Sequence, residues 1–261
     1  MDASPLNPRG PSVEQSASTA ESRQISAVQR SDGILVLAVV VARGEAPELE
    51  AVLAGLVAQD HRRLEVVVVS VPDQERDRIE GGDTPPISAR VAALLPNSVV
   101  LEAPSGIGHG ASVAAALAAQ HPIPENQFLL LVPGGVVLGD TAVRRLVERA
   151  MEVNAAVVGP KVFGPDGDLV ETGWRLDRLC SPVPIVVDPE PDQGQHDADL
   201  VPLAVAGSAW MVRSDLYADL GGLDPEVDEI DGSLEFCLRA RRAGATVAVV
   251  PSAVARRLKG I

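Results

Sequence analysis

A single α/β domain on a mostly parallel central sheet flanked by helices is the fold class this sequence predicts, and three observations predict it. Ile34–Val41 (ILVLAVVV), Leu64–Val69 (LEVVVV) and Phe128–Val132 (FLLLV) are apolar runs without polar alternation. Strands buried on both faces of a sheet read this way. Segments with helical spacing stand between the runs, and strand–helix–strand alternation implies parallel strands joined by right-handed crossovers. The 261 residues are 46% hydrophobic but only 2% aromatic, so one large core must be built from Ala, Val and Leu.

Each element has its own signal. After the first strand, Pro47 suits the opening turn of a helix over ELEAVLAGLVAQ, with Leu49, Val52, Leu53, Leu56 and Val57 as its apolar stripe. The second strand is followed by a polar, Pro/Gly-rich surface loop from Ser70 to Pro86, a short helix over Ile87–Leu95 and a third strand over Ser98–Leu101. The turn Ser105-Gly106-Ile107-Gly108-His109-Gly110 then enters an Ala-rich helix, Ala111–Gln120. Gly106, Gly108 and Ala111 match G-x-G-x-x-A, the dinucleotide fingerprint. That fingerprint belongs on the first strand of a unit, with an acid about 20 residues on. Here it follows the third strand, and the next strand ends at Pro133 with no acid. Close backbone packing at a strand–helix turn, or a helix N-terminus facing a phosphate, fits better. His109 reads as a turn residue.

Pro133-Gly134-Gly135 breaks the fourth strand, and Asp140-Thr141 can cap the helix carrying Ala142, Val143, Leu146 and Val147. Ligands of open α/β sheets sit beyond the carboxyl ends of such strands. The Pro-Gly-Gly turn is therefore the place to look for chemistry, and it holds no carboxylate. Downstream lie a fifth strand, Ala155–Gly159, and a hairpin around Gly164-Pro165-Asp166-Gly167. A long polar loop covers 177–200, and the apolar run Leu203–Val212 contains Gly207-Ser208. Ser214 can cap a short helix closed by Gly221-Gly222, Asp231 a second one ending at Gly244, and Thr246–Val250 is the last strand.

The formal charge of −14 excludes a nucleic-acid partner, which needs clustered Lys and Arg, and serves solubility instead. Cys180 and Cys237 form no CxxC pair and read as two reduced thiols, which points to a cytoplasmic protein. No apolar run approaches the roughly 20 residues that span a bilayer, and no signal pattern opens the chain. Residues 1–31, rich in Ser, Pro and Gln, predict a disordered tail. The basic end RRLKGI, with Arg256, Arg257 and Lys259, is a weak anchor for the inner face of an anionic membrane.

Four segments, AVVGPKVFGPDGDLVETGW, DQGQHD, AVAGSAWMVRSDLYADLGGLDPEV and LEFCLRARRAGATVAVVPSAV, together resemble the family 2 glycosyltransferases of the GT-A fold. The likeness covers about residues 34–257, and GGLDP followed by F-C-x-R-A-x-x-A-G is its most specific part. DQGQHD, at Asp192–Asp197, resembles a loop of large actinobacterial cell-envelope members. The resemblance implies a single GT-A (Rossmann-like) domain over 32–257, between the 1–31 tail and the basic end 258–261. It also implies transfer of a sugar from an activated donor to an acceptor hydroxyl. That chemistry needs a divalent cation held by carboxylates, an acid that grips the nucleotide, and a carboxylate base.

The sequence departs from the family at all three points. Pro133, Gly134 and Gly135 stand where the family has its aspartate run, and Ser70 where an aspartate ends the second strand, with Asp73 the nearest acid. Gly232, Ser233 and Glu235 stand where the family has an acidic pair and a further aspartate. Its asparagine falls at Ala114 and its histidine at Arg256 or Arg257. By resemblance the donor side comprises Ser70, Asp73, Gly108, Pro133, Gly134, Gly135, Arg256 and Arg257. Glu235 and Asp231 remain as base candidates. Asp192, Gln193, Gln195, Asp197, Gly207 and Trp210 suit an acceptor, since acids and amides match sugar hydroxyls. No metal ligand is in place. The expectation is a degenerate glycosyltransferase that retains a nucleotide sugar, a sugar acceptor or a membrane-bound glycan-synthesis partner as ligand. Two alternatives stand beside it: an active inverting transferase that offsets diphosphate charge with Arg256 and Arg257, and a dinucleotide-binding oxidoreductase built on Gly106, Gly108 and Ala111.

Overall fold

The computed structural model describes residues 33–73, 84–120, 127–198, 201–227 and 229–258. The tail expected over 1–31, the middle of the 70–86 loop and residues 259–261 of the basic end lie outside the described residues. β1 (Leu35–Arg43), β2 (Leu64–Val71), β3 (Val99–Glu102) and β4 (Gln127–Pro133) are parallel and are linked through α1 (Leu49–Val57), α2 (Ile87–Leu94) and α3 (His109–Ala119). β5 (Val136–Leu138), α4 (Ala142–Glu152), β6 (Val157–Phe163) and β7 (Leu169–Glu171) follow. A hairpin of β8 (Trp174–Leu176) and β9 (Pro182–Pro184) stands apart from the main sheet. β10 (Trp210–Arg213), α5 (Ser214–Asp219), α6 (Glu229–Arg242) and β11 (Val247–Arg257) complete the chain. The sheet runs β3-β2-β1-β4-β10-β6-β11-β5, with β7 beside β6. β10 is antiparallel to both its neighbours.

The unbroken aliphatic runs follow from this layering. Val36, Ala38 and Val40 of β1 face one core with α1 and α4, whereas Leu37, Val39 and Val41 face another with α3, α5 and α6. A strand covered on both sides has no position for a polar residue. α4 buries Ala142, Val143, Leu146, Val147 and Ala150, each large aliphatic contributing about 1.5–3 kcal/mol. No helix among the described residues is long and apolar enough to cross a membrane.

Several expectations need correction. Val136–Leu138 is a strand, because β11 continues past Val250 through an irregularity to Arg257 and pairs with it. Arg256 and Arg257 therefore lie on the last strand and not after it. Val57 is exposed, outside the α1 stripe. Asp231 lies inside α6, which starts at Glu229, so it is not the cap. Ser214 is the first residue of α5, and Arg213 stands at the cap position without a side-chain cap bond. Thr141 stands at the head of α4 without a side-chain cap bond. Gln59 supplies the cap across 84 residues: its Oε1 accepts from Val143 N at 3.0 Å, and its Nε2 donates to Gly55 O and Gly139 O at 2.8 and 2.9 Å. No local motif announces a cap supplied from the loop after α1.

Gln59→Ala removes all three bonds and strands partly buried backbone groups, so stability should fall by about 1–3 kcal/mol. Urea denaturation should show a lower midpoint with an unchanged slope.

Candidate functional site

β4 passes to β5 through Gly134 and Gly135, and packing dictates both glycines. A Cβ on Gly134 would lie 3.0 Å from the Val41 carbonyl oxygen of β1. Gly135 has φ of +125°, a conformation that strains any side chain. Pro133, Gly134 and Gly135 offer no side-chain oxygen, and the backbone opposes an aspartate at the last two. Among the described residues no group of three or more His, Cys, Asp or Glu is placed to hold a metal ion. The donor set does not fit the divalent cation that the fold family implies.

A cation does stand beside the turn. Arg257 pairs in register with Val136, and Leu258 N donates to Gly135 O at 2.9 Å. Arg257 Nη2 donates to Glu171 Oε1 and, at 2.7 Å, to Ser208 Oγ. The Ser208 hydroxyl donates in turn to Glu171 Oε2 at 2.8 Å. Trp210, at the start of β10, opposes Leu131 of β4, and Ser208 lies in the turn that leads into β10. β4, β7, β10 and β11 thus converge on one closed charged cluster. Neither Glu171 nor Ser208 stood out in the sequence, because 86 and 49 residues separate them from Arg257. Arg256 alternates to the opposite face, where it is exposed.

The rim of β1 and β2 brings together Arg43, Ser70 and Asp73. Ser70 is half-buried opposite Ala42, and the Asp73 Cβ lies 3.5 Å from where Gly44 would carry its own. Arg43 Nη1 donates to Ile107 O at 3.0 Å, tying this rim to the glycine-rich turn. A Cβ on Gly108 would lie 2.8 Å from Pro225 O, and one on Gly110 2.9 Å from Asp224 O. The glycines of this turn are therefore a packing device against the GGLDP segment. Gly108 spends its open side on Pro225, and the oxidoreductase alternative loses its only motif. His109 is buried as the first residue of α3. Burial, helped by the charge of Arg43, pushes its pKa down to about 4.

Both base candidates lie on α6. Glu235 is clamped by Arg239 through bonds of 2.5 and 2.6 Å. Arg239 also donates to Leu220 O and Gly222 O and sits over the Phe236 ring. The pair thus ties α6 to the turn after α5. Asp231 is an exposed residue of the first turn of α6. Ser233, where the family has an acid, is fully buried and donates to Val205 O.

The acceptor residues are also engaged within the chain. Lys161, nearly inaccessible on β6, donates to Asp192 at 2.9 and 3.0 Å and to Asp197 at 2.5 Å. Burial disfavours its charge, but the bonds to Asp197 and Asp192 outweigh burial and hold the ammonium protonated. Gln195 accepts from Gln193 N and donates to Pro191 O, which closes the loop on itself. Gly207 is buried in the turn that presents Ser208. Trp210 is 2% exposed, with its ring centroid 5.4 Å from that of Phe236, so it is core and offers no face to a sugar.

One consequence concerns pH. Between about pH 6.5 and 4 His109 stays neutral in the folded chain while an unfolded histidine binds a proton. Stability should therefore fall as pH drops through this window, with roughly 3 kcal/mol attributable to this residue. His109→Gln should show a shallower loss in urea melts at pH 7, 5.5 and 4. An unchanged slope would reject the assignment.

Comparison with known proteins agrees with this architecture. A family model described as "Glycosyltransferase like family 2" matches residues 33–260. Similar solved structures include TarS of S. aureus, at 16% identity and a TM-score of 0.57 over 86% of this chain and 37% of that one. GalNAc-T7 with UDP, GalNAc and Mn2+ has 14% identity and a TM-score of 0.61 over 87% and 44%. TarS 1–349 in complex with UDP has 15% identity and a TM-score of 0.56 over 85% and 60%. The chain thus spans less than two thirds of each of these proteins, and at such identities the likeness establishes the fold alone. No curated protein matches the sequence. A GT-A sheet with a family match over nearly its whole length places the chain in glycosyltransferase-like family 2.

Proposed function

We propose that this chain is a family 2 glycosyltransferase domain that binds a nucleotide sugar, or its nucleoside diphosphate, and does not carry out metal-assisted transfer. The carrying observation is the turn Pro133-Gly134-Gly135, whose glycines are required by the Val41 carbonyl and by a φ of +125°. Two further points support the loss of transfer. Ser233 is buried in place of an acid, and Glu235 is held by Arg239. The nucleotide is inferred from the neighbours, TarS 1–349 with UDP and GalNAc-T7 with UDP, GalNAc and Mn2+. At the rim of β1 and β2, Ser70, Asp73 and Arg43 would meet its nucleoside end. A membrane-bound glycan-synthesis partner belongs to the same reading, on the resemblance alone. One observation favours the alternative of metal-free transfer, the guanidinium of Arg257 beside the turn, but this reading still needs a base that Glu235 cannot supply while it is clamped.

Calorimetric titration with UDP should give the same affinity in Mn2+ as in EDTA. Incubation with UDP-sugars should release no UDP above the buffer background. Binding that requires Mn2+, accompanied by turnover, would overturn the proposal.

A further inference from the structure

Beside the Pro133–Gly135 turn the protein keeps one cation and covers it with its own anion. Arg257 and Glu171 are 29% and 23% exposed, so the pair lies at an accessible rim and not in the core. A guanidinium fork matches a phosphate as well as it matches a carboxylate. Ser208, bonded to both partners, is a second donor that turns toward a new acceptor once the carboxylate has left. Glu171 ends the three-residue strand β7, which pairs with β6 across a register shift and bridges to Glu190 through Leu169, at the other end of the strand. The next residue, Thr172, is fully buried, and its hydroxyl has no hydrogen-bond partner among the described residues. The chain beside the cluster therefore carries the cost of an unsatisfied buried group.

We infer that Glu171 is a resident counter-anion that an entering diphosphate must displace from Arg257 and Ser208, so that Glu171 sets how tightly the site takes its ligand. This rests on the nucleotide-binding reading above and adds to it the residue that governs affinity. A charged Glu171 repels the diphosphate and competes with it for the same guanidinium. Its neutral isostere does neither, yet it keeps the shape of the cluster and an oxygen to accept from Ser208.

The test is calorimetric titration of the wild type, Glu171→Gln and Arg257→Met with inorganic pyrophosphate and with UDP, all in EDTA, with folding checked by thermal melts. Glu171→Gln should tighten both ligands by on the order of tenfold, the weight of one charge-assisted contact. Arg257→Met should abolish pyrophosphate binding. Should Arg257→Met fail to fold, Glu171→Gln decides by itself. A wild type that binds UDP and a Glu171→Gln variant that binds it no more tightly would make Glu171 a mere strut, overturning the inference while the nucleotide reading stands. A gain for UDP without one for pyrophosphate would also overturn it. If neither protein binds either ligand, the nucleotide reading falls, and the inference with it.

Discussion

The junction of β4 with β10 governs where anything can bind. β4 runs parallel to β1 on one side and antiparallel to β10 on the other, so the chain direction reverses at a strand that is aliphatic on both faces. Apart from Gln127 at its start, β4 carries no polar residue, and polar groups collect past its end, where the connections diverge and leave a rim open. At this rim the fold is also tightest, because the turn after β4 runs against the Val41 carbonyl. One packing constraint thus positions the site and removes the side chains that a cation would need there.

Several charged residues share a second property, in that each has a partner from the same chain. Glu171 is taken by Arg257 and Ser208, Glu235 by Arg239, and Asp192 and Asp197 by Lys161. Breaking a buried or partly buried pair by deleting one partner costs more than the pair contributes, since the survivor is left uncompensated. Such pairs hold loops and helices in place. Lys161 anchors the 190–197 loop, and Arg239 joins α6 to the turn after α5. These pairs hold the chain together around the sheet, and the pair of Arg257 and Glu171 lies beside the turn after β4.

Much of the framework was legible in the residues. The runs ILVLAVVV, LEVVVV and FLLLV could only be doubly covered strands, and the helices between them carried their apolar stripes openly. The glycine-rich turn was read as a site of close packing, and Pro225 and Asp224 supply the backbone that packs on it. The Pro-Gly-Gly turn was located as the carboxylate-free strand end. The capping residues were read less well. Asp231 and Ser214 fall inside their helices, and the α4 cap comes from Gln59, because a cap signal is local while the bond that serves can come from anywhere in the fold.

What the sequence determined by itself was therefore the periodicity, the layering and the absence of an acid at the end of β4, all of which depend on neighbours within a few residues. Only the tertiary structure decided which charges meet. Glu171 and Arg257 come from two strands and Ser208 from the turn before a third, and Lys161 reaches its carboxylates across 31 and 36 residues. Those partnerships depend on sheet order and register, which arise when distant strands pair, and no short-range pattern records them.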